Sequence, residues 1–548
     1  MRNLFILILL FFSLHSFGRS YSQSLSYKFR VYLKDKGATT YTLDKPEQFL
    51  SKEAIERKKG QHVTIDKTDF PISADYFKLI EKAGGEVVSH SKWFSTVTVQ
   101  VADSLAINGV LSLPFVDTVK YVWRGNEWKN SLQLRPRLGK SDCGQSVSSA
   151  HPFGLTVNQF VMHNADKLLL AGFQGKGIDV GVIDAGFTNF DVIPWFKTVD
   201  LQGFINFVPE GEMFATSDHG TKVLSTMAVN QPGLMMGSAP EAAYWLLRSE
   251  DVRSEFPVEE DYWVRAIEYA DSLGLDLINT SLGYSEFDDK NLNYNSSDLT
   301  GEVSFMSRAA NMAYEKGMLI VVSAGNEGNK PWQKTTPPGD AKNVLAVGAV
   351  GTDSLIASFS SHGLMEDGRI KPDLVSVGIG TVTIGEEGQI GYTNGTSLSS
   401  PFLAGLIASL WSVNPDMQRG ELIDIIKRSS DRYLMPDSLY GNGIADFQKA
   451  YGEVLARLHV EDGSVEEQYF SVSRSSKNHF LISLTQPEFS YDDYELRLLD
   501  ESGQLISTHT FEKEILQISV PRSSGKTAKF VHLLFKSPYQ QKILRFPL

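Results

Sequence analysis

At 548 residues the chain exceeds one ordinary domain and predicts roughly two to four. A hydrophobic content of 42% with 11% aromatics supports packed cores. A net charge of −13 excludes nucleic acid and anionic membrane surfaces as main partners, since both demand basic faces. The one cysteine, Cys143, excludes an intrachain disulfide and reads as a lone linker thiol.

Residues 1–22 read as an export signal, with Arg2 as positive start and an apolar core from Leu4 to Phe12. A small and polar stretch follows from Gly18 to Ser24. That core is short for a spanning helix, so a cleaved signal is expected. From 25 to 123 the order is strand, helix, strand, strand, helix, strand. Tyr27 to Tyr32 alternates like a half-buried strand, Ser73 to Ala83 is an amphipathic helix, and Glu86 to Ser89 and Ser95 to Val101 are strands. Ala102 to Leu111 is a helix and Val116 to Val122 the last strand. The order fits a small α+β ferredoxin-like unit. Residues 124–152 have linker composition.

From 153 to 455 helices alternate with short apolar strands, the pattern of a parallel sheet covered on both faces. Val157 to Leu170, Glu259 to Leu273 and Val303 to Lys316 read as helices. Ile178 to Ile183, Ala242 to Leu247, Leu275 to Thr280, Met318 to Val322 and Val344 to Val347 read as strands. Residues 459–548 lose the helices and predict an all-β module.

Four segments carry chemistry. Strand Ile178–Ile183 runs into Asp184, at the strand end where ligands of open sheets sit. His219 stands at a helix start, where the dipole is expected to weaken proton binding and favour a general base. An ordinary imidazole pKa near 6.5 predicts a rate loss below about pH 6–7. After strand Met318–Val322 comes Gly325-Asn326-Glu327, where glycine admits close approach and the Asn326 amide can donate to an oxyanion. Ser397 opens an apolar run that reaches Trp411 and, if helical, is buried on every side, with Pro401 in its first turn. Each segment alone also suits a cap or a turn; together they supply nucleophile, base, orienting carboxylate and oxyanion donors.

The ordered segments Val182-Ile183-Asp184-Ala185-Gly186, Asp218-His219-Gly220-Thr221, Ser281-Leu282-Gly283, Ala324-Gly325-Asn326 and Gly395-Thr396-Ser397 resemble the subtilisin-like serine peptidases (subtilases). The resemblance implies Ser397 as nucleophile, His219 as base, Asp184 as orienter, and Asn326 with the Ser397 N–H as oxyanion hole. It also implies Ser281, Leu282 and Gly283 as a backbone rail for extended protein or peptide substrates. Gly325 and Glu327 flank the first pocket, and Glu327 is expected to favour basic or polar side chains there. Threonine is usual where Ala185 stands, and a second histidine where Lys222 stands. By the same resemblance 25–123 is an inhibitory propeptide cut off in the linker.

The final module is similar to a type IX secretion sorting domain in Tyr494–Leu499 and Lys542–Phe546, with an accessory β-module as the alternative. An exported protein using secretion machinery is expected, at the cell surface or released. No cofactor is identified. Structural calcium is common in the family, yet no ligands for it are identified, and Asp289-Lys290-Asn291 lacks the glycine and distal acid of a calcium loop. The altered neighbours of the site leave a second reading: a subtilase-fold binding or adhesion protein whose catalysis has lapsed.

Overall fold

A computed structural model describes residues 25–126, 135–136, 138, 151–476, 478–485, 490–520, 529–538 and 540–548. The expected export signal and Cys143 lie outside the described residues, as does most of the linker.

The N-terminal unit contains β1 (Leu25–Leu33), α1 (Lys52–Gly60), α2 (Ala74–Lys82), β2 (Glu86–Ser91), β3 (Thr96–Val101), α3 (Ile107–Leu111) and β4 (Val116–Asn126). Its antiparallel sheet has the order β2-β3-β1-β4, the ferredoxin-like arrangement read from the sequence. Alternate residues Phe29, Val31 and Leu33 of β1 meet Ile80, Val97 and Val99 in its core. Helix α1 was not foreseen. Its only apolar side chains are Ala54 and Ile55, and the buried face is Ala54, Arg57 and Lys58, so it is held by charge rather than by an apolar stripe.

The central unit contains, in chain order, α4 (Val157–Met162), α5 (Asp166–Ala171), β5 (Asp179–Asp184), β6 (Asp200–Asn206), α6 (His219–Ala228), β7 (Ala243–Arg248) and α7 (Val258–Leu273). It continues through β8 (Leu277–Thr280), α8 (Phe305–Glu315), β9 (Leu319–Ser323), β10 (Leu345–Val350) and β11 (Leu374–Val377) to α9 (Thr396–Trp411), α10 (Arg419–Ser429) and α11 (Phe447–Ala456). Seven parallel strands run β11-β10-β9-β8-β5-β7-β6. The chain starts at β5, goes out to β6, returns through β7, then continues on the other side from β8. That reversal opens a crevice at the carboxyl ends of β5 and β8.

Two expectations need correction. The single helix from Val157 to Leu170 is two, broken where Asn164 adopts φ 47°. Strand β6 went unread, because on the sheet edge its residues alternate only between exposed and half-buried. Helix α9 is buried along its whole length, as its apolar composition requires.

The C-terminal residues form two four-stranded antiparallel sheets packed around Phe470, Phe480, Leu496, Val531, Phe535 and Phe546. Leu499, Leu534 and Ile543 of this module join the core of the central unit. Lys536 Nζ donates to the Gly172 carbonyl at 3.0 Å and pairs with Glu241 at 2.9 Å. The module is therefore docked on the side of α5 and α11. No described helix is long and apolar enough to cross a membrane.

Candidate active site

Asp184 is the last residue of β5 and is fully buried. Its Oδ1 accepts the Ala185 N–H at 2.7 Å and meets His219 Nδ1 at 2.7 Å. A carboxylate on Nδ1 fixes the proton there and leaves Nε2 of the neutral ring as the acceptor. Oδ2 is buried and has no hydrogen-bond partner among the described residues.

His219 is the first residue of α6, after Asp218, whose carboxylate pairs with Lys222 at 2.6 Å, and its side chain is 36% exposed. Burial pulls its pKa down, but the Asp184 charge and hydrogen bond, then Glu250 and Asp218, raise it to about 9. The expected lowering by the helix dipole is thus overturned. A dipole end is worth about 0.3–1 kcal/mol, and a carboxylate in contact with the ring outweighs it.

Glu250 went unnoticed in the sequence. It enters the site because β7 pairs with β5 and the Ser249 N–H donates to the Asp184 carbonyl at 3.1 Å. Burial, then repulsion from Asp184, push its carboxyl up to about 7. Only the register of β5 against β7 could have revealed it.

Ser397 is the second residue of α9 and 9% exposed. Pro401 lies in the second turn of this helix, not the first, and that changes its meaning. A proline at this position supplies no N–H for the carbonyl four residues back, which is that of Ser397. The Ser281 hydroxyl donates to this freed carbonyl at 3.0 Å, and Ser397 Oγ donates to the Ser281 carbonyl at 3.4 Å. Ser281 is itself held by Asn279, whose Nδ2 donates to its Oγ at 3.3 Å. Among the described residues no hydrogen bond joins Ser397 to His219, so the hydroxyl rests on Ser281.

Asn326 follows β9. Its Oδ1 accepts the Thr396 N–H and the Thr396 hydroxyl, both at 3.0 Å, which leaves Nδ2 as the free end of the amide. Gly325 has φ +104°, and a Cβ there would come 2.9 Å from both Ser361 Oγ and Thr336 Oγ1, so glycine is required. Its N–H donates to Thr396 Oγ1 at 3.2 Å, tying the β9 loop to the start of α9.

Glu327 donates its N–H to Ser361 Oγ at 2.9 Å, and its carboxylate pairs with Lys330 at 2.9 Å. The charge expected to select basic side chains is balanced by this neighbour. After β8, Ser281 and Leu282 are buried while Gly283 is exposed, and the segment belongs to no strand. Its Ser281 lies directly against Ser397. Asp289 caps the short turn Lys290–Leu292, as fits a surface loop. Among the described residues no cluster of three or more His, Cys, Asp or Glu is placed to hold a metal.

The geometry therefore places a carboxylate, an imidazole, a helix-mouth hydroxyl and an amide donor around the carboxyl ends of the inner strands β5, β8 and β9. Residues 175–443 match the profile of the subtilase family, and residues 28–136 that of the peptidase S8 propeptide domain of Bacteroidota. Subtilisin DY of Bacillus licheniformis is 30% identical over 305 residues, covering 55% of this chain and 98% of the relative. Subtilisin E of Bacillus subtilis is 28% identical over 306 residues, covering 55% of this chain and 73% of the relative. The crystal structure of the epidermin leader peptide processing serine protease from Staphylococcus aureus has a TM-score of 0.54 at 16% identity. It covers 80% of this chain and 100% of that one, a likeness of fold.

Proposed function

Because the chain belongs to the subtilase family of serine peptidases, we propose that it is an exported endopeptidase working through Asp184, His219 and Ser397. The observation that carries this reading is the bond from Asp184 to His219 at the crevice where α9 presents Ser397. His219 Nε2 takes the proton of Ser397 Oγ as that oxygen attacks the scissile carbonyl. Asp184 stabilises the imidazolium so formed. The developing oxyanion is met by Asn326 Nδ2 and the Ser397 N–H at the positive end of α9. The imidazolium then protonates the leaving amine, and water attacks the acyl-enzyme by the reverse proton path.

An extended substrate lies along Ser281-Leu282-Gly283, a segment outside any strand that can pair with it as a neighbouring strand would. The Ser397 hydroxyl must turn from Ser281 toward His219 for this to begin. The N-terminal unit acts as the intramolecular inhibitor and is removed by cleavage in the linker. Residues 1–22 direct export and are removed, and the C-terminal module serves secretion or anchorage.

The test is casein hydrolysis and linker processing by the purified full chain and by Ser397→Ala. Loss of both in the variant supports the reading; undiminished cleavage by Ser397→Ala overturns it.

A further inference from the structure

Strand β7 ends at Arg248 and feeds a loop, 249–257, that lies beside the catalytic carboxylate. The Ser249 N–H donates to the Asp184 carbonyl at 3.1 Å. Glu259, at the start of α7, fixes this loop by accepting the Asp251 and Phe256 N–H groups at 2.7 and 3.2 Å. Farther along, the Glu255 N–H donates to Asp288 at 3.1 Å, and the Asp288 N–H to the Glu255 carbonyl at 2.9 Å. The loop is thereby tied to the segment that follows Ser281-Leu282-Gly283.

Two carboxylates in this recess have no counter-charge in contact. Among the described residues the side chains of Glu250 and Glu255 make no hydrogen bond and no ion pair. Burial, then the Glu250 charge, push the Glu255 carboxyl up to about 8. The guanidiniums nearby are engaged elsewhere. Arg253 forks onto Asp251 with both bonds at 2.6 Å. Arg248 donates to the Ala185 carbonyl, to Asn206 and to the Glu210 carbonyl at 3.0, 3.1 and 2.8 Å. Glu327, by contrast, has its charge met by Lys330.

Neutral groups in the recess are unmet as well. Tyr284, the residue after Gly283, is 2% exposed, and its hydroxyl has no hydrogen-bond partner among the described residues. Burial, then the Glu259, Glu250 and Glu255 charges, hold its proton on, so the hydroxyl faces the same carboxylates. Ser249 Oγ, fully buried next to Glu250, is likewise without a partner among the described residues. Buried hydroxyls beside unmet carboxylates fit a ligand that brings both donors and positive charge.

Sheet order decides which substrate residue reaches the recess. Asn326 follows β9, the substrate segment follows β8, Asp184 ends β5 and Glu250 follows β7, in the lateral order β9-β8-β5-β7. A scissile carbonyl between Ser397 and Asn326 has its own side chain turned toward β9 and Glu327. Side chains of an extended chain alternate in direction. The next residue toward the amino end therefore points the other way, over β5 and β7 to Glu250.

We propose that the enzyme selects lysine or arginine at the second residue before the scissile bond, whose cation is received by Glu250, Glu255 and the Tyr284 hydroxyl. This rests on the peptidase reading above and names its substrate class. A long stem carries the charge inward while its methylenes cover the buried walls. The arriving cation restores both carboxylates to their charged form. An apolar side chain leaves them unmet, which discriminates against it. The linker that must be cut first fits this preference: residues 124–150 hold five basic residues and two acids in a chain of net charge −13.

The experiment uses propeptide-free enzyme and three peptides that differ only at that second residue: lysine, acetyl-lysine and norleucine. At about pH 9 the two carboxylates, at about 7 and 8, are largely charged while lysine is still a cation. The kcat/KM for lysine is expected to exceed that for either neutral peptide by about tenfold or more, as a close desolvated charge pair implies. Glu250→Gln keeps the shape and removes the charge, so the lysine preference should shrink toward parity. Taking the ratio on one enzyme at one pH cancels any change at His219.

Equal wild-type rates on the lysine and acetyl-lysine peptides overturn the proposal, and this comparison stands even if the variant does not fold. A lysine preference undiminished in Glu250→Gln overturns it too. If the wild type cleaves none of the peptides, the peptidase reading fails, and fluorescence anisotropy of the same labelled peptides on the propeptide-free protein decides the recess. Tighter binding of the lysine peptide supports it; equal binding of all three overturns it.

Discussion

Removing the Asn326 amide tests the oxyanion site most sharply, because the structure gives that side chain two separable roles. Its Oδ1 secures Thr396 through two bonds of 3.0 Å, and its Nδ2 is the end free to donate. Asn326→Ala removes both. Loss of one oxyanion donor costs about 3 kcal/mol of barrier, or roughly 10²–10³ in kcat. The donor acts on the transition state, so KM should change little.

Asn326→Asp separates the roles, since a carboxylate still accepts from Thr396 but sets a negative charge against the forming oxyanion. Steady-state kinetics on a peptide ester and a peptide amide should show both variants slowed to a similar degree at near wild-type KM. Near wild-type kcat in Asn326→Asp would refute the reasoning. It would mean that Asn326 matters only for holding the start of α9.

The carboxylates around His219 should move the acid limb of kcat/KM above the ordinary histidine value of 6.5, toward 9. A raised pKa means the base is lost as pH falls through that higher value. Glu250→Gln should therefore shift the limb to lower pH; a wild-type midpoint below 6.5 would contradict this. Ser281→Ala strands the buried Ser397 carbonyl, which costs about 1–3 kcal/mol and should lower kcat on the order of tenfold. Adding Pro401→Ala restores a backbone N–H to that carbonyl, so the double variant should recover activity, and failure to recover would show that Pro401 plays no such part.

Burial pushes Asp271 up, but Lys58, Arg57 and Lys92 hold it at about 2 against an ordinary 3.8. A depressed carboxylate contributes stability that is full above 3.8 and is lost as pH falls through 2. Gel filtration of the cut chain from pH 7 to 2 should thus show the N-terminal unit, which this carboxylate helps to hold, released only below about pH 4. Release complete at pH 5 would count against it.

The strands that read best in the sequence were those buried on both faces, because β5, β8 and β9 are largely apolar runs that end in Asp184 or lead into Ser281 and Asn326. Those endings made most of the site legible, since a polar residue after an apolar strand has few structural reasons to be there. The edge strand β6 and the charge-held helix α1 carry no such contrast. Glu259, Glu260 and Asp261 stand in the first turn of α7, where acids suit the helix dipole, yet they are buried. Glu259 accepts the Asp251 N–H at 2.7 Å, and Asp261 receives Arg30 from a strand 231 residues away. Glu250 and the Ser281–Ser397 exchange likewise depend on which strands become neighbours, a fact no local pattern holds.

The central claim is that Ser397 is a nucleophile activated by His219. Treatment of the mature protein with a fluorophosphonate, followed by peptide mass mapping, measures this directly. The account predicts one adduct, on the peptide that contains Ser397, formed far more slowly in His219→Ala. An unlabelled Ser397 in folded, propeptide-free protein would contradict it and favour the lapsed, binding-only reading.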